Sequence, residues 1–206
     1  MSESRKLHWE HVYSSKDPTE VSWYQGAPQL SLEMIVATGV ETGGAIIDVG
    51  GGASTLVDNL LDSGYSDVTV LDIATAALEQ SRARLGDAAK KVTWIEQDIL
   101  HFEPNRPFKL WHDRAVFHFL TEKSHQRHYA DLLQKAIEPG GHVILATFGP
   151  DGPNRCSGLP VQRYSTEELS GLLEPAFELQ AQALEEHKTP GGSVQQFLYT
   201  WWKARV

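Results

Sequence analysis

Short apolar runs rich in β-branched residues recur along the chain and alternate with stretches of helical periodicity. This alternation is typical of βαβ units, in which strands lie parallel and helices cover the sheet. The pattern predicts strands over 45–49, 68–72, 92–97, 108–113 and 142–148. It predicts helices over 55–63, 75–85 and 121–137, the last of which ends at an EPGG segment. We therefore predict an α/β fold with a doubly wound, mainly parallel sheet and helices on both faces.

The last third of the chain changes in pattern. A loop rich in glycine and proline covers 149–164, and Ser165 with Glu168 has the spacing of a capping box for a helix over 166–173. Two more strands are predicted over 177–186 and 193–203, with the turn TPGG between them. Because a parallel crossover needs a dozen or more residues, these two strands must pair antiparallel. The predicted sheet therefore ends in an antiparallel hairpin.

Composition narrows the class of protein further. A chain of 206 residues with 41% hydrophobic content suits one globular domain with a sizeable core. The formal net charge of -9, without a block of Lys or Arg, argues against a nucleic-acid partner. The start of the chain lacks the apolar core of a signal peptide, and no apolar run approaches the roughly 20 residues of a membrane helix. With Cys156 as its only cysteine, the chain is expected to be cytoplasmic and away from membranes; its oligomeric state stays open.

The strongest chemical signal is the segment AIIDVGGGAST, in which a buried strand carrying Asp48 turns into a helix through three glycines. Such a turn leaves the backbone bare for a nucleotide-like ligand. Thr55 stands where a dinucleotide-binding fingerprint has its third glycine, and no GK[ST] of a phosphate-binding loop follows. Asp72, at the end of the second predicted strand, is suited to accept hydrogen bonds from both hydroxyls of a ribose. These features predict an adenosine-containing ligand without a clear pyrophosphate cradle.

Five segments in order make the chain resemble the class I S-adenosylmethionine-dependent methyltransferases. They are DVGGGAST, VLDIA, WIEQDIL, LWHDRAVFHFL and LQKAIEPGGHVILATF. The resemblance extends from about Trp9 to the C-terminal hairpin, and it implies a seven-stranded sheet of order 3-2-1-4-5-7-6 with an antiparallel seventh strand. It also implies S-adenosyl-L-methionine as cofactor and a methyl acceptor as substrate.

The same resemblance assigns the cofactor site. Gly50, Gly51 and Gly52 would pass under the amino acid moiety, next to Asp48, and Asp72 would hold the ribose. Ile73 and Ile99 would enclose the adenine, and Asp98 would accept from its exocyclic amine. Asp72 could instead be a helix N-cap and Asp98 a turn residue, and the sequence leaves these alternatives open.

The N-terminal segments HWEHVY and VSWYQ are similar to those of a methyltransferase group that includes elongation-factor and citrate-synthase lysine methyltransferases. The similarity implies a lid over the cofactor made by aromatic residues, with Trp9, Tyr13, Trp23 and Tyr24 as candidates. Packing at a core edge is the alternative. The expected single domain divides into a lid and helix over 1–42, a cofactor-binding core over 43–148, and a substrate-facing loop, helix and hairpin over 149–206.

Candidate catalytic groups follow the fourth strand. Asp113 and Arg114 stand where the group often has an acidic residue and Lys, and His118 stands where an acidic residue is common. A base is needed only if the acceptor arrives protonated, and His118 or Asp113 could serve; Asp113 could instead bind the cofactor's amino group. Arg114, Arg163 and Tyr164 are candidates for orienting the substrate.

The predicted function is methyl transfer from S-adenosylmethionine to an oxygen, nitrogen or sulfur atom of a small molecule. Two alternatives stay open: a protein lysine N-methyltransferase that accepts one side chain, and an inactive cofactor-binding interaction module. A nicotinamide-dependent oxidoreductase is disfavoured by Thr55 and by the antiparallel hairpin. No metal is expected, because His125 and His128 share a helical face without a third ligand.

Overall fold

The computed structural model describes residues 2–15, 17 and 19–205; Met1, Lys16, Pro18 and Val206, which fall inside the predicted domain, lie outside the described residues. Its centre is one sheet of seven strands: β1 Ile46–Val49, β2 Val68–Asp72, β3 Val92–Glu96, β4 Phe108–Arg114, β5 Ile137–Phe148, β6 Phe177–Lys188 and β7 Val194–Ala204. The spatial order is β3-β2-β1-β4-β5-β7-β6, with β7 antiparallel to both of its neighbours. The predicted order and the antiparallel hairpin are confirmed.

Helices cover both faces of this sheet. They are α1 Ser2–Ser15, α2 Gln29–Thr38, α3 Leu56–Asp62, α4 Thr75–Leu85, α5 Lys123–Ala136 and α6 Thr166–Leu173. Side chains of α5 and α6 pack on one face in a cluster that includes Ile47 and Trp111, whereas α2, α3 and α4 pack on the other with Ile46 and Leu110. Neighbouring strand residues thus point to opposite cores, as the pleat requires. No helix among the described residues is both long and apolar enough to span a membrane.

Most predicted boundaries are confirmed within two residues, and α4, α6 and the Ser165 capping box match as predicted. The junction of α5 and β5 differs. The helix ends at Ala136 and the strand begins at Ile137, but its pairing with β4 skips from Ile137 to His142. The EPGG segment therefore bulges from the strand, and Gly140, with φ of 78°, supplies the left-handed residue that such an excursion favours.

The carboxyl ends of β1, β2 and β4 lie side by side, because β1 pairs with β2 on one side and with β4 on the other. The strand order reverses at this point, and open α/β sheets bind ligands in the crevice that such a reversal creates. The fold therefore places the glycine turn after β1 and the ends of β2 and β4 around one crevice.

Candidate functional site

The turn after β1 is shaped by two carboxylates that lie against it. A Cβ on Gly51 would lie 2.2 Å from Asp48 Oδ2, and one on Gly52 would lie 2.5 Å from Asp72 Oδ2. Gly50 adopts a φ of 70°, and a Cβ there would lie 2.0 Å from a methyl of Val116. All three positions therefore need glycine for reasons internal to the protein, and the outcome is a bare backbone at the mouth of the crevice.

A cleft of about 760 Å³, counting its open mouth, lies between the strand ends and the N-terminal segment. The sequence-predicted residues that the structure brings together along it are Trp9, Tyr13, Trp23, Gly50, Asp72, Ile73, Asp98, Ile99 and Arg114. A smaller adjoining cavity shares Tyr13, Trp23, Gly50 and Arg114 and adds Asp48, Gly51 and His112. Gly52 is not among the described lining residues; its backbone N–H donates to Asp72 instead.

Asp72 is held rigidly at the end of β2. Its Oδ2 accepts from the Gly52 N–H at 3.1 Å, and its Oδ1 accepts from the Ala74 N–H at 2.9 Å. Burial raises the pKa of this carboxyl to about 6, partly offset by those two hydrogen bonds, and the charge of Asp48 raises it further. The carboxylate is therefore the charged form above about pH 6, with one acceptor site on each oxygen already used.

Each carboxylate oxygen of Asp98 accepts a hydrogen bond from another residue of the chain. Oδ1 caps the short helix Ile99–His101 by accepting from the Leu100 N–H at 3.1 Å. Oδ2 accepts from Arg5 Nη2 at 2.8 Å. Arg5 lines the cleft, and sequence reasoning missed it because nothing in its local pattern shows that α1 lies beside the end of β3.

Polar contacts fasten α1 over the cleft, in addition to its aromatic side chains. Glu10 accepts from the N–H groups of Thr75 at 2.6 Å and Ala76 at 3.0 Å, so it caps the start of α4. Gln80 donates to the carbonyl of Tyr13 at 2.7 Å. A carboxylate at a helix N-terminus also meets the positive end of the helix dipole. Glu10 is a second residue that the sequence analysis missed.

Three of the four aromatic residues predicted as a lid, Trp9, Tyr13 and Trp23, form one cluster, whereas Tyr24 lines the smaller cavity. The ring of Trp9 lies 5.7 Å from that of Trp23 and 5.2 Å from that of Phe119, and Tyr13 lies 6.0 Å from Trp23. All but Phe119 come from the N-terminal segment, while Phe119 follows β4. The cluster therefore joins that segment to the far wall of the cleft, and it serves both packing and lining.

Arg114 at the end of β4 is fixed in place by several contacts. Its Nε donates to the Tyr199 hydroxyl at 2.8 Å, and Nη1 donates to the Trp23 carbonyl at 3.0 Å. Nη2 lies 3.6 Å from Glu185 Oε2, and the guanidinium lies 4.4 Å from the Phe197 ring centroid. Nη2 is buried and has no hydrogen-bond partner among the described residues. A positive group that is fixed in place and paired with Glu185 therefore lines both cavities.

Unlike Arg114, Asp113 lies beneath the cleft and does not line it. Its Oδ2 accepts from the Tyr129 hydroxyl at 2.5 Å and from the Phe117 N–H at 3.1 Å, and its Oδ1 accepts from the Val116 N–H at 2.9 Å. Burial raises its pKa to about 6, against the lowering effect of these bonds. Asp113 is fully buried and is not among the described residues that line the cleft. Its contacts are those of a residue that fixes the turn after β4.

His118, Arg163 and Tyr164 are likewise absent from the described lining residues of both cavities. His118 is fully buried between aromatic rings, and burial lowers its pKa to about 3. Tyr164 stacks on Phe117, with ring centroids 5.1 Å apart, and Arg163 Nη1 donates to the Gly152 carbonyl at 3.4 Å. Cys156 does line the cleft, and burial raises the pKa of its thiol to about 11, so it stays protonated at neutral pH.

Replacing Tyr129 with Phe is expected to lower the free energy of unfolding by about 1.5 to 3 kcal/mol, because the buried Asp113 loses a hydrogen bond to a charged group. Denaturant unfolding at neutral pH measures the loss. The control is Tyr65→Phe, another buried tyrosine whose hydroxyl does not contact Asp113. Equal losses in the two variants would contradict a specific role for the Asp113 contact.

The central part of the chain matches a known protein family. Residues 46–141 match the family model described as a methyltransferase domain. The malonyl-[acyl-carrier protein] O-methyltransferase of Anoxybacillus flavithermus is 32% identical over 106 residues, which cover 50% of this chain and 39% of that protein. The EEF1A lysine methyltransferase 2 of Danio rerio is 21% identical over 189 residues, which cover 84% of this chain and 75% of that protein. The chain spans only 16% to 40% of the length of three other curated relatives.

Solved structures share the fold over nearly the whole chain. A protein studied for the conversion of a disulfide bond into a thioacetal group during echinomycin biosynthesis has a TM-score of 0.77 at 18% identity, covering 97% of this chain and 93% of that one. The 1,6-didemethyltoxoflavin-N1-methyltransferase of Burkholderia thailandensis, solved with 1,6-didemethyltoxoflavin and S-adenosylhomocysteine, has a TM-score of 0.71 at 15% identity, covering 98% and 85%. Residues 46–141 therefore match a methyltransferase domain, and the strand order and the five ordered motifs are those of the class I S-adenosylmethionine-dependent methyltransferases, which the chain resembles.

Proposed function

We propose that the cleft binds S-adenosyl-L-methionine and that the protein transfers its methyl group to an oxygen, nitrogen or sulfur atom of a small molecule. The observation that carries this proposal is the meeting, in one cleft, of the bare turn at Gly50, the Asp72 carboxylate and the apolar pair Ile73 and Ile99. These groups match the three chemical parts of the cofactor: its amino acid chain, its ribose and its adenine.

The adenosine half fits the described contacts. Each Asp72 oxygen accepts one backbone N–H and keeps a lone pair for a ribose hydroxyl. Ile73 and Ile99 supply apolar surface for the adenine ring. Asp98 could accept from the adenine amine beside its ion pair with Arg5. We assign these four residues to the adenosine, in agreement with the expectation from the sequence.

The amino acid part of the cofactor also has a matching group in the chain, the Asp48 carboxylate. Asp48 Oδ2 is buried and has no hydrogen-bond partner among the described residues, and Asp48 lines the smaller cavity next to Gly50 and Gly51. A buried carboxylate oxygen without a donor is costly, and an ammonium group would satisfy it. Trp9, Tyr13 and Trp23 would close over this half of the ligand, as a lid.

The cofactor supplies a methyl group already activated by a sulfonium, which an acceptor lone pair displaces in line. The residues of the chain therefore act mainly by orienting the reactants and excluding water. We assign Arg114 to the acceptor, because its guanidinium is a fixed positive group in a residue that lines the cleft. The burial of His118 and Asp113 gives no support to either as a base, and the proposed mechanism does not use one.

We favour a small-molecule acceptor because the connections between the strands are short and leave the acceptor only the lid and the loops after β4 and β5. Several relatives also act on small or carrier-bound acceptors, including thiocyanate. The near full-length alignment with EEF1A lysine methyltransferase 2 of Danio rerio supports the alternative of a lysine side chain as acceptor. We further propose one domain over 1–206, a cytoplasmic setting consistent with a single cysteine, and no nucleic-acid partner given the net charge of -9.

Transfer of a labelled methyl group from S-adenosylmethionine into a cell extract, followed by separation of protein from low-mass compounds, tests the proposed function. Asp72→Ala run in parallel identifies the label that depends on this site. Site-dependent label in the low-mass fraction is the expected result. Site-dependent label in protein would favour the lysine alternative, and tight cofactor binding without any transfer would favour an inactive binding module.

Replacing Asp72 with Ala should weaken S-adenosylhomocysteine binding by about 1.5 to 3 kcal/mol, roughly 10- to 150-fold, because two charge-assisted hydrogen bonds from the ribose are lost. Titration calorimetry measures the change. Asp67→Ala is the matched control, since Asp67 precedes the opposite end of β2 and pairs with Arg106. Unchanged affinity in Asp72→Ala would remove that residue from the ribose site.

The dissociation constant for S-adenosylhomocysteine should rise as the pH falls below about 6. A raised pKa of about 6 means that Asp72 is protonated below that pH, and a neutral carboxyl accepts weaker hydrogen bonds. Calorimetry between about pH 5 and pH 7.5 follows the change, with Asp72→Asn as the control that cannot titrate. An identical pH profile in that variant would assign the titration to another group.

A further inference from the structure

Three polar side chains form a buried row directly beneath the glycine turn. Asp48 Oδ1 lies 2.7 Å from His112 Nδ1, and His112 Nε2 lies 2.9 Å from Ser31 Oγ. Asp48 and His112 occupy paired positions on the parallel strands β1 and β4, and Ser31 comes from α2. None of the three is more than 2% exposed, so each contact is made in a dry setting.

A neutral imidazole with its proton on Nδ1 satisfies the whole row. Nδ1–H then donates to Asp48 Oδ1, and Nε2 accepts from the Ser31 hydroxyl. Ser31 Oγ lies 3.5 Å from the hydroxyl of Tyr199, which accepts from Arg114 Nε at 2.8 Å. The ring of His112 is therefore held from both sides, and its orientation fixes the proton that faces Asp48.

This row directs the second oxygen of Asp48. With Oδ1 bound to His112, Oδ2 faces the turn, where it lies 2.2 Å from the position that a Cβ on Gly51 would take. Oδ2 is buried and has no hydrogen-bond partner in the described part of the chain. His112 and Asp48 both line the smaller cavity. The unsatisfied acceptor therefore belongs to a carboxylate whose rotation is blocked by His112.

We propose that His112 is a positioning residue, which holds the Asp48 carboxylate so that its free oxygen receives the ammonium group of the cofactor's amino acid chain. The inference rests on the proposed function and adds a residue that has no contact with the reacting atoms. It predicts that His112 matters only to ligands that carry the amino acid part.

Two nucleoside ligands separate this role from a general structural one. S-adenosylhomocysteine carries the ammonium group, whereas 5′-methylthioadenosine keeps the adenosine and thioether and lacks the amino acid part. Replacing His112 with Phe should weaken S-adenosylhomocysteine about tenfold or more, and 5′-methylthioadenosine by less than about twofold. Calorimetry with both ligands gives the two values on one protein preparation.

Two conservative variants test which ring nitrogen of His112 holds the Asp48 carboxylate. The amide of Asn can place a donor near the position of Nδ1, whereas the longer Gln places it near Nε2. His112→Asn should therefore keep most of the affinity for S-adenosylhomocysteine, and His112→Gln should lose it as His112→Phe does. If His112→Phe fails to fold, the comparison of His112→Asn with His112→Gln still tests the proposal.

The matched control is His142→Phe, which replaces another buried histidine, on β5, that accepts from Trp201 Nε1. Both ligands should bind this variant as they bind the unaltered protein. Equal weakening of both ligands by His112→Phe, or equal affinities for S-adenosylhomocysteine in the Asn and Gln variants, would overturn the positioning role. If the unaltered protein bound neither ligand, the proposed function itself would fail, and this inference with it.

Discussion

The structure depends on two aspartate carboxylates that are buried at the ends of neighbouring strands, directly against a turn of glycines. Asp48 and Asp72 each lie so close to this turn that a side chain at Gly51 or Gly52 would overlap an oxygen. Burying a carboxylate is costly unless it is hydrogen-bonded. The protein meets this cost with backbone N–H groups at Asp72 and with His112 at Asp48. The unpartnered Oδ2 of Asp48 and the remaining lone pairs of Asp72 are the acceptors that we assign to the cofactor.

The N-terminal helix is held beside the cleft by polar contacts as well as by packing of its aromatic side chains. Arg5 pairs with Asp98, Lys6 pairs with Glu96, and Glu10 caps α4. Exposed ion pairs contribute little singly, so the position of the helix depends on their number and on the edge-on packing of Trp9.

Successive side chains at the end of β4 point to opposite faces of the sheet, and the two faces have different roles. Trp111 and Asp113 face the core under α5, where Tyr129 contacts both of them. His112 and Arg114 face the opposite side, where they meet the glycine turn and the lid. Side chains two residues apart share one face of a strand, so this division follows from the backbone alone. It explains why Asp113 stabilises the turn while its neighbours line the cavities.

The sequence by itself determined the strands, the helices α3 to α6, the antiparallel hairpin and the glycine turn, because periodicity, turn residues and connection lengths are local properties. It also indicated half of the described residues along the cleft, since Asp72, Ile73, Asp98 and Ile99 lie at or just after the ends of predicted strands. Only the tertiary structure decided the rest. Arg5 and Glu10 meet partners more than 60 positions away, and the burial of His118 depends on rings from β5 and β7. Such contacts arise from how elements pack, and the spacing of residues along one chain carries no record of that packing.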